Sequence, residues 1–268
     1  MLVGDLDGNF EDVPLACQSA LVDISFLLDG SLWMCHESGV VAKFDISEFV
    51  MEVLGEQEGG ICAVRWSPDG ELVVIVGAEL EAADSLQLLT QDFDPITTQP
   101  AVTIESGEQV MVNVGWGSRA TQFMGQAGKD AREAVLPEAD KLSGRDTHSV
   151  ELCWRGDSEL FCTSVPFSTG RRTRLYSREG VHLCTTSTPS TFLGPISWRA
   201  SSLLSALAES ISSAPIVAQI ERNGLEHGQI DLINLEPVLQ LSWNSIGTLL
   251  AVRYATSIEI WRQGNGDT

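Results

Sequence analysis

Basic residues are scarce in this 268-residue chain: 16 lysines and arginines stand against 37 aspartates and glutamates, a formal charge of −21. A surface so acidic repels phosphate backbones, so the sequence predicts no direct nucleic-acid binding by this segment. Acidity suits a soluble body or docking to basic partners, and it identifies neither. Long apolar runs are missing too. The longest, Leu72–Val76, holds five residues, where a membrane helix needs about 20, so no membrane association is expected. The first ten residues, MLVGDLDGNF, have no basic stretch and no apolar core, so no secretory signal is expected there. There is no Asn-x-Ser/Thr site. The cysteines Cys17, Cys35, Cys62, Cys153, Cys162 and Cys184 show no CxxC and no paired spacing. In a chain of this size they read as reduced, mostly buried thiols of an intracellular protein. The expected compartment is the cytoplasm, with the nucleus as a second one.

Catalytic patterns are equally thin. The histidines His36, His148, His182 and His227 are scattered, with no HExxH and no His-Cys ligand spacing. No G-x-S-x-G elbow exists. GWGSRA at 115–120 matches a relaxed dinucleotide pattern, but without a visible βαβ unit around it. GQAGKD at 125–130 has the wrong glycine spacing for a phosphate loop, and Asp130 stands where Ser or Thr belongs. DLDGNFED at 5–12 puts Asp5, Asp7 and Asn9 on alternate positions. Its glycine, however, comes fourth instead of sixth, and Ala16 sits where a calcium loop needs a bidentate Glu. The chain therefore reads as a non-enzyme, with no catalytic, cofactor-binding or metal residue assigned.

What is present is a repeat. An apolar residue, any residue, Trp, a short turn and an apolar run recur as VRWSPDGELVVIV from Val64, LCWRGDSELFCTSV from Leu152, ISWRASSLLSALA from Ile196 and LSWNSIGTLLAV from Leu241. VGWGSRATQF from Val114 is a weaker copy, and DISFLLDGSLWMC from Asp23 carries Phe26 in the Trp slot. The slot tryptophans Trp66, Trp116, Trp154, Trp198 and Trp243 lie 50, 38, 44 and 45 residues apart, a period typical of WD40 propellers. Ser67–Gly70 is a type I turn in the making, with Pro68 presetting φ and Gly70 closing it. The apolar runs after it suit strands covered on both faces, and further strands are expected around SLQLLT, RTRLYS, IVAQIE and SIEIW. SSLLSALAES has helical composition but occupies the strand slot after Trp198, and is read as strand. GKDAREAVLPEADKLSG, 128–144, is read as a polar loop. The expected fold class is all-β: a single partial WD40-type β-propeller over 1–268, with about six blade units, the last one truncated, out of a seven-bladed ring. A fragment or truncated gene product, whose ends do not meet in a shared blade, is the corresponding expectation.

Arg155-Gly156-Asp157-Ser158 spells the tetrapeptide by which matrix proteins bind integrins. It falls where Ser67-Pro68-Asp69-Gly70 falls in another unit, so it is read as a turn between blade strands.

LTQDFDPI (89–96), NVGWGSRATQFMGQAGKDAREA (113–134), VELCWRGDSELFCTSV (150–165), LGPISWR (193–199), IERNGLEHGQI (220–230) and LSWNSIGTLLAV (241–252) resemble, in this order, the amino-terminal propeller of the Elongator largest-subunit family. The resemblance runs from about Leu21 to Trp261. It implies a frame, not a catalyst. Elongator places carboxymethyl-type groups on the wobble uridine of certain tRNAs, and its chemistry lies in a separate radical-SAM and acetyltransferase subunit. The family's second propeller, helical arm, dimerisation region and basic tRNA-contacting segment have no counterpart here. The implied function is a non-catalytic scaffold fragment that helps assemble the catalytic subunit and a second WD-repeat subunit. The alternatives are a generic WD40 interaction adaptor unrelated to tRNA modification and a propeller attached to a hydrolase. Partner-contacting residues are not legible; the insertions Glu79–Asp84 and Gly128–Arg145 are the candidates, because propellers bind through rim loops.

Overall fold

Segments such as LVVIV and PIVAQI are rich in β-branched residues and bounded by Gly, Asp or Pro, so they extend instead of coiling. In the computed structural model every regular element among the described residues is a strand. Those residues are 17–102 and 142–262, apart from 28, 168, 169, 187–189 and 201, together with the backbone of 2–4 and 10–12. The chain divides into two compact units, 1–103 and 104–268. The all-β class expected from the sequence is what the structure shows.

In the first unit, β1 (Leu2–Gly4) and β2 (Phe10–Asp12) form an antiparallel pair. Two antiparallel sheets follow in strict chain order. One comprises β3 (Leu21–Phe26), β4 (Leu32–His36), β5 (Val40–Asp45) and β6 (Val50–Glu56); the other comprises β7 (Ile61–Trp66), β8 (Leu72–Gly77), β9 (Leu86–Thr90) and β10 (Pro95–Gln99). They bury Trp33, Cys35, Val41, Val64, Val73 and Ile75 in one cluster.

The second unit repeats the plan. Its first sheet is β11 (Glu151–Trp154), β12 (Leu160–Phe167), β13 (Gly170–Ser177) and β14 (His182–Thr185). The second is β15 (Thr191–Trp198), β16 (Leu204–Glu209), β17 (Pro215–Ile220) and β18 (Glu226–Asp231). The third is β19 (Gln240–Trp243), β20 (Leu249–Arg253) and β21 (Ile258–Arg262). The middle sheet is covered on both faces. Leu204, Ala206 and Ala208 face the first sheet's Leu160, Cys162 and Leu175. Leu207 and Val217 face the third sheet's Leu241, Leu250 and Val252. This explains why SSLLSALAES mimics a helix: a strand buried on both sides reads as a continuous apolar run. Each large aliphatic buried there contributes about 1.5–3 kcal/mol. On the outer face of the third sheet, by contrast, Leu249, Ile258 and Ile260 are exposed.

One register is common to all five larger sheets. The slot residue, Phe26, Trp66, Trp154, Trp198 or Trp243, ends the first strand, and five residues connect it to the second. In each connection the amide of the fourth residue donates to the carbonyl of the first, from Gly30 to Leu27, Gly70 to Ser67, Ser158 to Arg155, Ser202 to Arg199 and Gly247 to Asn244, at 2.9–3.0 Å. Gly70 has φ +75°, and Ser158 holds the same left-handed conformation at +62°. At the opposite end of the sheets the second-to-third connections are 3, 8, 2, 5 and 4 residues long. That end varies from two to eight residues; at the slot end the five first-to-second connections are equal and the third-to-fourth ones hold four or five.

Candidate interaction surface

The Arg-Gly-Asp-Ser string is folded in on itself. Arg155 donates from Nε to Asp157 Oδ1 at 2.7 Å, and its guanidinium lies 5.9 Å from the centroid of the Trp198 ring, within cation–π range. Partial burial opposes ionisation of Asp157, but the Arg155 bond and the Glu159 amide hold its carboxyl below the usual range. The pattern recurs one sheet later, where the Arg199 guanidinium sits 5.4 Å from the centroid of Trp243 and Nε donates to the Gly247 carbonyl at 3.0 Å. In the first unit Leu27, after the Phe26 slot, packs in the cluster that holds Trp66. The arginine after each of the Trp154 and Trp198 slots thus packs against the next sheet's slot ring. Arg155 is a structural element of this ladder.

The remaining sequence candidates do not converge. His36 is buried on β4, its Nδ1 3.1 Å from the Ser19 carbonyl. His182 on β14 lies 5.6 Å from the Tyr176 ring; burial, then the Arg174 charge, push its pKa down. His227 on β18 meets Glu221 at 3.1 Å. All six cysteines are free. Cys153 and Cys162 face each other across β11 and β12 with Sγ atoms 3.6 Å apart. Burial pushes the Cys162 thiol well up and those of Cys35, Cys62 and Cys184 to about 12, 11 and 11, which leaves them weak nucleophiles at neutral pH. Among the described residues, no three His, Cys, Asp or Glu side chains group as metal ligands, and no helix is long and apolar enough to cross a membrane. GWGSRA with Trp116, GQAGKD and most of 128–144 lie outside the described residues, as do the side chains of DLDGNFED.

The rim insertions fare differently. Glu79–Asp84 joins β8 to β9 in a turn closed by the Ala82 amide on the Glu79 carbonyl at 2.9 Å, with Gln57 Nε2 reaching Asp84 Oδ2 at 3.4 Å. From the second insertion, Arg145 reaches a hollow at the variable end of the middle sheet. Leu193, Leu207 and Val238 make its buried floor, and Arg145, Leu235 and Glu236 stand at its mouth. It holds about 40 Å³ of space open to a water-sized sphere. Arg145 Nη1 donates to the Ser213 carbonyl at 3.1 Å and lies 3.9 Å from Glu209 Oε1. Ser143 Oγ donates to Glu209 Oε2 at 2.7 Å, and the Leu232 amide donates to the Pro215 carbonyl at 3.2 Å. Three backbone segments, around 143–145, 210–214 and 232–239, are thereby pinned around one small apolar opening. Sequence reasoning found Arg145 but passed over LINLEPVLQ, 232–240. Its signal was large aliphatics at Ile233, Leu235 and Leu239 in a connection broken by Pro237.

A family profile described as "ELP1 first N-terminal beta-propeller" matches residues 8–266. The chain belongs to that family. The propeller architecture expected from the Trp repeat and the resemblance in the quoted motifs are both confirmed by this match. Elongator complex protein 1 of Oryctolagus cuniculus is 33% identical over 263 residues, covering 91% of this chain and 19% of the relative. The protein of the same name from Schizosaccharomyces pombe is 33% identical over 238 residues, covering 84% and 19%. That of Saccharomyces cerevisiae is 29% identical over 263 residues, covering 83% and 19%. The chain thus spans about a fifth of the length of these curated relatives.

Proposed function

We propose that this chain is a non-catalytic scaffold portion of an Elongator subunit. In this reading it helps to assemble the catalytic radical-SAM and acetyltransferase subunit with a second WD-repeat subunit, in the cytoplasm and also in the nucleus, for carboxymethyl-type modification of the tRNA wobble uridine. The observation that carries it is the family match over residues 8–266. The buried thiols support it, because burial pushes the pKa values of Cys35, Cys62, Cys162 and Cys184 up and a protonated thiol is a weak nucleophile at neutral pH. Its formal charge of −21 favours protein partners over direct tRNA contact.

The test uses the full-length protein with an affinity tag. Both partner subunits should co-purify with it. Deleting the stretch that corresponds to residues 21–261 should lower carboxymethyl-type wobble uridines, measured by nucleoside mass spectrometry. Retention of partners unrelated to tRNA modification, with unchanged wobble nucleosides, would favour a general adaptor instead.

A further inference from the structure

The hollow at Arg145 is too small for a nucleotide or cofactor, whose pockets run to about 300–1,000 Å³. At about 40 Å³, it exceeds the 10–15 Å³ or so that one water needs, and its floor of Leu193, Leu207 and Val238 favours an apolar occupant. The rim around it is unusual in two ways. Ile211 on the 210–214 loop, and Ile233 and Leu235 on the 232–239 segment, are 87%, 84% and 64% exposed. Leu235 lines the hollow itself, and Ile211 and Ile233 lie on the two segments that adjoin it, so exposed aliphatics on both mark a contact surface. The second feature is charge. Glu209, Asp231 and Glu236 stand at this end of the sheet, while Arg145 is engaged by Glu209 and the Ser213 carbonyl. Arg253 lies on the outer face of the third sheet with Gln240.

We propose that this hollow captures one aliphatic side chain of a short, positively charged peptide segment of a partner protein. The aliphatic tip fills the Leu193–Leu207–Val238 floor against Leu235, and flanking lysines or arginines meet Glu236 and the neighbouring carboxylates. Apolar insertion supplies most of the affinity, and opposite charge supplies orientation and on-rate. The inference rests on the scaffold reading only in that the partner is a protein.

The experiment is a titration of the whole 268-residue chain, methyl-labelled at Ile, Leu and Val, with three synthetic peptides. They are Lys-Lys-Leu-Lys-Lys, Lys-Lys-Ser-Lys-Lys and Glu-Glu-Leu-Glu-Glu, all with blocked termini. The basic leucine peptide should shift the Leu193, Leu207 and Val238 methyl signals. The other two should bind at least tenfold more weakly. Leu235→Ser, at a site 64% exposed, should weaken the first peptide tenfold with the urea midpoint unchanged, and Ile246→Ser at the slot end should not weaken it. Equal response to the serine peptide would reduce the site to bulk charge, and equal response to the acidic one to bulk stickiness. Shifts centred on Ile258 and Ile260, or none, would place the surface elsewhere. Each of these results overturns the proposal. No partner subunit enters the titration, so its failure leaves the co-purification test standing, and the reverse also holds.

Discussion

Replacing Asp146 removes the partner of a fully buried cation. Arg171 at the start of β13 donates from Nε to Asp146 Oδ2 at 2.8 Å and from Nη2 to Oδ1 at 2.7 Å, and neither side chain is exposed at all. The remaining bonds, from Arg171 Nη1 to the carbonyls of Ser149 and Ser164 at 3.0 and 2.9 Å, stay in place in the variant but bring no counter-charge. At a charge separation of about 4 Å and an effective dielectric constant of about 20, the attraction lost is about 4 kcal/mol. Removing one partner of a buried pair costs about 3–5 kcal/mol on the same scale. Asp146→Ala should therefore lower unfolding free energy by about 3–5 kcal/mol and Tm by roughly 10 °C. Asp146 Oδ1 also accepts the His148 amide at 2.7 Å, so Asp146→Asn keeps one cap and loses slightly less. The apolar double variant Asp146→Leu with Arg171→Met should recover most of the loss, since an unpaired charge is costlier than none. Urea unfolding followed by tryptophan fluorescence measures all four proteins. A loss under about 1 kcal/mol for Asp146→Ala, the range of exposed pairs, would refute the reasoning.

Gly194 has φ +132°, and a Cβ there would collide with Thr147 Oγ1; Gly194→Ala should cost about 2 kcal/mol or more in the same assay. Adding Thr147→Ala should restore only part, because the backbone strain stays, and full recovery would contradict this. Cys35, Cys62 and Cys184 are raised from 9.0 to about 12, 11 and 11, burial being the leading cause. Since the unfolded chain gives up these protons first, the stabilisation is complete below pH 9 and is lost as pH rises towards 11–12. The urea midpoint at pH 10.5 should lie below that at pH 8; changing all three thiols to alanine should flatten the slope, and an unaltered slope would count against the assignment. For the Arg155–Ser158 turn, the immobilised chain should support no more attachment of integrin-bearing cells than its Asp157→Glu variant. Attachment competed by a soluble Arg-Gly-Asp peptide would show that the turn opens.

Much of the fold was legible because the slot indole and its turn are local features. Trp66, Trp154, Trp198 and Trp243 all end first strands as their spacing suggested, and the Ser67–Gly70 turn closes through the expected hydrogen bond. SSLLSALAES was resolved by its place in the repeat, where composition alone misled. The Arg171–Asp146 pair was not legible: its members lie 25 residues apart, and nothing in either segment says that both charges leave water. The hollow escaped for a similar reason. Its floor comes from β15, β16 and the approach to β19, and its mouth from two loops, so only the stacked sheets bring Leu193, Leu207 and Val238 under Leu235. The aliphatics of 232–239 belong to no repeat motif, and only the folded chain shows Ile233 and Leu235 exposed.

The ladder of slot rings also sets where this architecture can change length. Arg155 belongs to one sheet and Trp198 to the next, as do Arg199 and Trp243. Inserting one residue into a slot-end connection would swing the guanidinium off a neighbour's ring, so the damage would surface one sheet downstream of the insertion. At the other end, hairpins already ranging from two to eight residues touch no such rung. Natural variants and engineered tags should accumulate at those hairpins, which within the second unit adjoin the aliphatic hollow, leaving recognition free to diversify while the stacking stays put.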